Sequence, residues 1–412
     1  MKVHLEYDRI YAVTKTLLVN NQTIDRIEFK MDFSLTEDQK MIRRMVRDYA
    51  ENELEPIAGQ IDEEAKFPAE SIKKMASMGL IGIPFPEESG GQGGGIIQFI
   101  IAVEEISRVC AATGIIYLVT AGLAGLPIYH FGNEDQRQRF VVPIAKGKKL
   151  ACFALTEANA GSDVASLETT AIRRAGGYVL NGTKIFITNG AEADIILVFA
   201  TLDKAQRHRG ITAFVVEKDA PGFSVGKLEH KLGIRASSTA ELIFEDCFVP
   251  EKNRLGDEGS GFKVAMGAID SSRIAIAAQA LGIAQGAFDK CLAYARERRQ
   301  FGQPIINFQA IQWMLADMAT QIDAARLLTY RAASLEQNGL PFVRCAAEAK
   351  LFAADVAMFV TTKAMQIHGG YGYVRDYPLE RYFRDARITG IYEGTDEMQR
   401  MTIARDLIRE IG

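Results

Sequence analysis

The chain has 412 residues, of which 48% are hydrophobic, 24% charged and 9% aromatic, a composition typical of a folded globular protein and not of a disordered tail. Its 48 basic and 52 acidic residues give a formal charge of −4, so there is no global positive field to hold nucleic acid or an anionic membrane. The five cysteines lie more than 40 residues apart, which excludes short-spaced metal or redox pairs and favours a reducing, cytoplasmic compartment.

The first 30 residues carry both charge signs throughout. A signal peptide would need a continuous apolar centre and a transit peptide would avoid acidic residues, so neither is predicted. We expect residues 1–30 to be an extension of unknown role upstream of the fold, which would begin at Met31. The most apolar stretch is taken to be residues 96–103, which is too short to span a membrane, so no such span is expected.

Apolar residues recur at helical spacing from residue 35 onward, and Thr36 with Gln39 has the spacing of a capping box. Residues 71–78 and 97–109 repeat the helical pattern. Between them, residues 84–95 contain two prolines and five glycines and predict a long loop. We therefore predict an N-terminal helical domain over residues 31–150.

Short segments rich in β-branched or aromatic residues follow, separated by turn dipeptides such as Asn181-Gly182 and Pro221-Gly222. They predict a middle β domain over residues 151–262. Long helical patterns then return and predict a C-terminal helical domain over residues 263–412. The expected fold class is α+β with several domains. The predicted strands cover residues 184–188, 195–200, 211–216, 223–228 and 240–248, and the long helical runs cover 262–299, 309–335 and 343–368.

Common nucleotide and metal signatures are missing from the sequence. The glycines at 90–95 lack the spacing of a dinucleotide fingerprint and no P-loop occurs, which disfavours NAD and ATP as tightly bound partners. The five histidines are isolated from one another and from the cysteines, so no metal site is predicted. Glu393 stands beside Gly394 just before a helix predicted to start near Thr395. Taken alone, Glu393 is an ordinary loop carboxylate or, alternatively, a buried base.

Five separated motifs resemble those of the acyl-CoA dehydrogenases, in the same order along the chain. They are residues 154–157 (ALTE) leading to 161–163 (GSD), 184–190 (KIFITNG), 297–302 (ERRQFG), 366–372 (QIHGGYG) and 391–395 (IYEGT). Residues 158–160 (ANA), within the first motif, depart from the proline and glycine that are common there in the family. The resemblance runs from residue 31 to the C-terminus. It implies a helical domain, a β-barrel domain and a C-terminal four-helix bundle, which matches the division predicted from composition.

The resemblance implies an FAD site shared by two copies of the chain. Phe186 would lie against the flavin and Thr188 would hydrogen-bond its hydride-accepting nitrogen, while Arg298 would reach the pyrophosphate of a neighbouring copy with its guanidinium fork. The implied assembly is a homo-oligomer, at least a dimer and usually a homotetramer. The expected cofactor-binding residues are Phe153, Leu155, Thr156, Gly161, Ser162, Phe186, Ile187, Thr188, Arg298, Phe301, Gln309, Gln366, Ile367, His368, Gly369, Gly370, Thr395, Asp396 and Glu397.

The same resemblance implies an acyl-CoA substrate, contacted by Ser162, Asp270, Arg273 and Gly394. Glu393 would remove the α-proton while the β-hydrogen leaves as hydride to FAD, giving a trans-2-enoyl-CoA. Reduced FAD would pass its electrons to an electron-transferring flavoprotein. Long-chain and isovaleryl enzymes of this family place the base where this chain has Ser272, so Glu393 occupies the position used by short- and medium-chain members.

We expect a short-chain acyl group such as butyryl, with small branched or cyclic groups included. Medium-chain specificity is the nearest alternative, because pocket shape decides it and one sequence does not reveal that shape. An acyl-CoA oxidase that passes electrons to oxygen is a different reaction class, and the usual oxidase carries an additional helical domain. A flavin- or acyl-CoA-binding protein without catalysis is the third alternative, and Glu393 argues against it.

Overall fold

The N-terminal part of the protein is helical. The computed structural model describes residues 34–411, so the expected extension over residues 1–30 and the start of the fold at Met31 concern residues outside it. Among the described residues, eight α-helices precede the first strand: α1 (Glu37–Tyr49), α2 (Ala58–Glu63), α3 (Ala69–Ser77), α4 (Gly95–Ser107), α5 (Ala111–Leu118), α6 (Leu126–Phe131), α7 (Glu134–Gln136) and α8 (Val142–Ala145). This confirms the predicted helical character of this part of the chain.

One helical run within this region was not recognised from sequence. Within residues 34–411, the run Ala111–Phe131 has a hydropathy of 1.7 and is long and apolar enough to cross a membrane by length and composition. However, 89% of its apolar window is buried inside the fold. A Cβ built on Gly122 would lie 2.8 Å from the ring of Phe99, so the absence of a side chain lets this run pack closely on α4. The run is a core element of the folded protein.

A β sheet forms the middle of the chain. The strands pair in the order β6-β7-β3-β2-β4-β5-β8, and β1 lies parallel to β4. The five predicted strands are all present. Three strands were not predicted from the sequence: β1 and β8, which are very short, and β2, whose paired arginines hide its alternation. The strands are β1 (Ala151–Ala154), β2 (Thr170–Arg174), β3 (Gly177–Thr188), β4 (Ile195–Thr201), β5 (Ile211–Glu217), β6 (Phe223–Leu228), β7 (Thr239–Pro250) and β8 (Arg254–Leu255).

Long helices complete the fold, as predicted. Helix α11 packs against α9, α10 and α13, which together form the C-terminal bundle. Cβ atoms on Gly282 and Gly286 of α9 would collide with the backbone of Glu104 and Arg108, so these glycines allow α9 to approach α4 closely. The elements are α9 (Gly261–Glu297), a small hairpin of β9 (Arg299–Gln300) and β10 (Gln303–Pro304), α10 (Gln309–Gln337), α11 (Val343–His368), α12 (Leu379–Arg387) and α13 (Asp396–Ile411).

Candidate active site

Glu393 lies in the tight loop that leads into helix α13. Its backbone φ is +52° and that of Gly394 is +94°, so two consecutive residues adopt the left-handed conformation. A non-glycine residue rarely adopts this conformation, and such strained residues cluster at functional sites. The Ser272 hydroxyl, on the buried face of α9, donates a hydrogen bond to Glu393 Oε2. The unusual turn therefore holds the carboxylate against α9.

The environment of Glu393 suits a base that works near neutral pH. Burial raises the pKa of this carboxyl to about 7, opposed by the hydrogen bond from Ser272 and the positive charges of Lys350 and Arg273. Near neutral pH the group is present in both protonation states. A group poised in this way accepts a proton efficiently during catalysis.

Two further side chains, both on helices of the C-terminal bundle, hold the loop in place. Lys350 Nζ on α11 and Gln399 Nε2 on α13 each donate to the Gly394 carbonyl oxygen at 2.8 Å. Lys350 Nζ also lies 3.4 Å from Asp396 Oδ1. Lys350 lies outside the five sequence motifs and was assigned no role from the sequence. An available signal was its position, since it is a lone lysine on the otherwise alanine-rich, buried face of a long helix.

The expected substrate residues of α9 lie beside this loop. Arg273 Nη1 contacts Asp270 Oδ1 at 2.7 Å, and a Cβ built on Gly394 would lie 3.8 Å from Arg273 Nη2. Burial lowers the pKa of Arg273 and raises that of Asp270. Arg273 Nε is buried without a hydrogen-bond partner. The structure therefore brings Glu393, Gly394, Arg273 and Asp270 together.

A second group of expected residues lies at the end of β1 and in β3. Lys184 Nζ is fully buried and donates to the Leu155 carbonyl at 3.0 Å and to Glu157 Oε1 at 2.6 Å. The Ile185 amide donates to the Thr156 carbonyl at 2.9 Å. These contacts fix the segment after β1 to β3. Lys184 and Glu157 belong to the sequence motifs, but neither was assigned a role from the sequence.

Phe186 projects from an irregularity in β3. The pairing with β7 shifts register between Lys184 and Ile187, and Phe186 has a φ of +58° with 60% of its surface exposed. Beyond it, Thr188 is partly buried, and the fully buried Asn189 amide donates to the Ile116 and Ala151 carbonyls at 3.1 and 3.3 Å. The bulge thus presents an aromatic face to the outside of the sheet.

The remaining residues of this group lie nearby along the chain. Phe153 is buried against Phe199, with ring centroids 4.9 Å apart. Gly161 and Ser162 are exposed, and a Cβ built on Gly161 would meet no atom within 4 Å. The loop is therefore open to a ligand. Asp163, which follows Ser162, accepts a hydrogen bond from Arg207 Nη2 at 3.3 Å.

A third group surrounds a cavity of about 750 Å³ at the end of α11. The His368 ring stacks on Tyr294 at 4.0 Å, and the Arg298 guanidinium lies 5.5 Å from the Tyr371 ring centroid. Of the expected residues, Arg298, Ile367, His368, Gly369 and Gly370 line this cavity. Three others, Phe301 (93% exposed), Gln309 and Gln366, do not line it and lie on the surface of this copy.

These features fit a flavin nucleotide. The exposed aromatic ring of Phe186 offers a stacking surface, and Arg298 offers a guanidinium for a diphosphate. Cβ atoms on Gly369 and Gly370 would meet no atom within 4 Å, so backbone there is open to close approach. Within residues 34–411, no three His, Cys, Asp or Glu residues are grouped to hold a metal ion.

Comparison with known proteins identifies the family. The acyl-CoA dehydrogenase N-terminal, middle and C-terminal domain models match residues 36–148, 152–247 and 259–408. The chain belongs to the acyl-CoA dehydrogenase family. Membership confirms the resemblance inferred from the five motifs, including its order of a helical, a β and a second helical domain.

Individual relatives in the family are similar over their whole length. The short-chain specific acyl-CoA dehydrogenase of Clostridium acetobutylicum is 53% identical over 379 residues, covering 92% of this chain and 100% of that protein. Butyryl-CoA dehydrogenase from Megasphaera elsdenii has a TM-score of 0.90 at 47% identity, covering 92% of this chain and 100% of that one. A chain in a structure of the electron transferring flavoprotein of Acidaminococcus fermentans has a TM-score of 0.91 at 52% identity, with the same coverage.

Proposed function

We propose that this protein is an FAD-dependent short-chain acyl-CoA dehydrogenase that converts a short-chain acyl-CoA to its trans-2-enoyl-CoA. The observation that carries the proposal is the Glu393 carboxylate, held by Ser272 beside Arg273, with burial raising its pKa to about 7. The similarity to butyryl-CoA and short-chain specific enzymes supports the choice of substrate class.

In the proposed reaction, the Glu393 carboxylate accepts the α-proton of the acyl thioester. Ser272 orients the carboxylate through its hydrogen bond, and the left-handed turn at Glu393 and Gly394 fixes the direction in which the side chain points. The Glu393 backbone N–H stabilises the negative charge that develops on the thioester oxygen. FAD, when bound, supplies the acceptor for the hydride that leaves the β-carbon.

We assign the FAD-contacting residues to two copies of the chain. One copy contributes the group at the end of β1 and in β3, and a neighbouring copy contributes the group around Arg298 and His368. The exposed positions of Phe301, Gln309 and Gln366 on a single copy support this division, because a residue that serves a neighbour must lie at the surface. Thr395, Asp396 and Glu397, at the start of α13, complete the proposed set.

The wider assignments belong to the same proposal. We infer a homotetramer in the cytoplasm, with an electron-transferring flavoprotein as the acceptor and a place in fatty acid β-oxidation. Ser162, Asp270, Arg273 and Gly394 would contact the acyl-CoA. We divide the chain into domains at residues 31–150, 151–262 and 263–412, with residues 1–30 as an extension.

Steady-state turnover tests this proposal. The purified flavoprotein is incubated with butyryl-, octanoyl- or palmitoyl-CoA, with either an electron-transferring flavoprotein or oxygen alone as acceptor, and the enoyl-CoA product is identified by mass spectrometry. We expect the highest kcat/KM with butyryl-CoA and turnover that depends on the flavoprotein acceptor. A preference for octanoyl-CoA would contradict the proposed short-chain specificity. Rapid turnover with oxygen alone would identify an oxidase.

A further inference from the structure

Lys350 is a buried cation on the face of α11 that meets the loop of the base. Its side chain has 0% exposure, and its neighbours on the same face of α11 are alanines, among them Ala346, Ala347 and Ala353. Burying an ammonium group is unfavourable unless opposite charges and hydrogen-bond acceptors compensate it. The acceptors here are the Gly394 carbonyl at 2.8 Å and Asp396 Oδ1 at 3.4 Å. The lysine is therefore directed entirely at the loop that carries Glu393.

The hydrogen bond alone does not account for a charged group at this point. The Gly394 carbonyl oxygen already accepts a hydrogen bond of 2.8 Å from Gln399 Nε2, a neutral donor. An uncharged side chain at position 350 would leave that carbonyl satisfied. Lys350 adds a second hydrogen bond to this carbonyl and a positive charge that interacts electrostatically with the Glu393 carboxylate.

We propose that Lys350 is a positioning residue of the reaction, which anchors the strained loop through the Gly394 carbonyl and whose charge favours the ionised carboxylate of Glu393. The inference rests on the proposed function of Glu393 as the base. The two successive left-handed residues of the loop need external contacts to persist, and Lys350 provides one of them.

The charges around Glu393 agree with this role. Burial raises the pKa of Glu393, and Lys350 and Arg273 both oppose that rise. Asp396 compensates Lys350, and Asp270 compensates Arg273, so each cation has its own carboxylate. Tyr392, the adjacent residue of the loop, is neutral because burial raises the pKa of its hydroxyl well above the usual value. Loss of the positive charge at position 350 should therefore raise the pKa of Glu393.

The test measures proton transfer separately from oxidation. Acetyl-CoA has α-protons but no β-carbon, so the enzyme is unable to dehydrogenate it, yet a correctly placed base exchanges its methyl protons with solvent. The holoenzyme is incubated with acetyl-CoA in D₂O, exchange is followed by proton NMR, and the rate is recorded from pH 5 to 9 against a sample without enzyme. The exchange rate should rise with pH as Glu393 ionises, which gives the rising limb of the profile, and then reach a plateau.

Lys350→Met and Gln399→Met separate the charge from the hydrogen bond. Each removes one donor to the Gly394 carbonyl, but only Lys350→Met removes a charge. We expect Lys350→Met to shift the rising limb to higher pH by about 1 unit and to lower the plateau at least about tenfold. Gln399→Met should lower the plateau without moving the limb. If both variants leave the limb in place, Lys350 has only a structural role and the inference is wrong.

Two controls complete the experiment. Retained flavin absorbance and an unchanged unfolding temperature show that a variant is folded, and Lys350→Gln, which keeps a neutral donor, replaces Lys350→Met if the latter does not fold. Lys350→Gln should shift the limb in the same direction, and an unmoved limb would overturn the inference. Glu393→Gln should abolish exchange. Exchange at the wild-type rate in Glu393→Gln would instead refute the proposed base, whatever Lys350 does.

Discussion

The Ser272 hydroxyl donates a hydrogen bond to Glu393 Oε2 and so joins helix α9 to the loop before α13. The family resemblance implies that long-chain and isovaleryl enzymes place their base where this chain has Ser272. The contact shows that the two positions are adjacent in space although 121 residues separate them. A carboxylate from either position can therefore act on the same region of a substrate, and in this chain only Glu393 provides one.

Ser272→Ala should move the acid limb of the kcat/KM profile to higher pH. The hydroxyl hydrogen bond favours the charged carboxylate and lowers the pKa of Glu393, so its removal lets burial raise that pKa further. We expect a shift of up to about 1 pH unit with butyryl-CoA. Ser272→Thr keeps a hydroxyl group and is the matched control. An identical limb in Ser272→Ala and wild type would show that the hydrogen bond does not tune the base.

Lys184→Met should destabilise the protein strongly. Lys184 is fully buried, and its loss leaves the buried Glu157 carboxylate without its cation. Breaking one partner of a buried pair typically costs about 3–5 kcal/mol in the free energy of unfolding. Lys73→Met, which breaks an exposed pair with Glu70, should cost no more than about 1 kcal/mol. Urea denaturation measures both, and equal small losses would contradict the prediction.

Ionisation of Glu157 should make the free energy of unfolding depend on pH in the acid range. Burial alone would raise its pKa, but Lys184 and the Glu168 and Thr169 amides hold the pKa of this carboxyl below the usual 4.5. The unfolded chain therefore takes up a proton at a higher pH than the folded chain does. The contribution is complete well above pH 4.5, begins to fall near that pH, and is lost as pH falls through the folded-state pKa.

The matched variant for this acid dependence is Glu157→Gln, which is unable to ionise. The free energy of unfolding of wild type should exceed that of Glu157→Gln at pH 7, and the difference should shrink as pH falls from about 5 toward 3. Urea titrations at successive pH values measure it. A difference that stays constant over this range would show that Glu157 ionisation does not contribute to stability.

Phe186→Ala should weaken flavin binding without destabilising the chain. The side chain is 60% exposed, so its removal costs little packing, whereas an aromatic stacking contact contributes about 0.5–1.5 kcal/mol. We expect FAD to bind the flavin-free protein roughly two- to tenfold more weakly, as measured by fluorescence titration. Phe186→Trp keeps an aromatic surface and should bind at least as tightly as wild type. Unchanged affinity in Phe186→Ala would place the flavin elsewhere.

Much of the fold could be predicted from the spacing of apolar residues in the sequence. The long helices of the bundle lie within two residues of their predicted bounds, for example α11 at Val343–His368, because their apolar spacing is sustained over many turns. The run Ala111–Phe131 escaped recognition because it is apolar on nearly every side, and a helix buried all round shows no amphipathic period.

The site was only partly predictable. Motifs indicated Glu393, but the contact with Ser272 depends on how α9 packs beside the loop, and no local pattern encodes that distance. Lys350 and Gln399 act from two other helices on one carbonyl, a convergence that appears only in three dimensions. The positive φ of Phe186 was likewise invisible, because aromatic residues normally avoid this conformation and nothing in the sequence marks the bulge.

The most direct test of the central claim is flavin reduction by butyryl-CoA in the absence of oxygen. Wild type and Glu393→Gln, both loaded with FAD, are mixed with butyryl-CoA in a stopped-flow instrument while the flavin absorbance is followed. We predict immediate bleaching of wild type and bleaching at least about 100-fold slower in Glu393→Gln, which should still bind FAD and the CoA ester. Bleaching of Glu393→Gln at a rate close to wild type, or a wild-type protein that binds no FAD, would contradict the account.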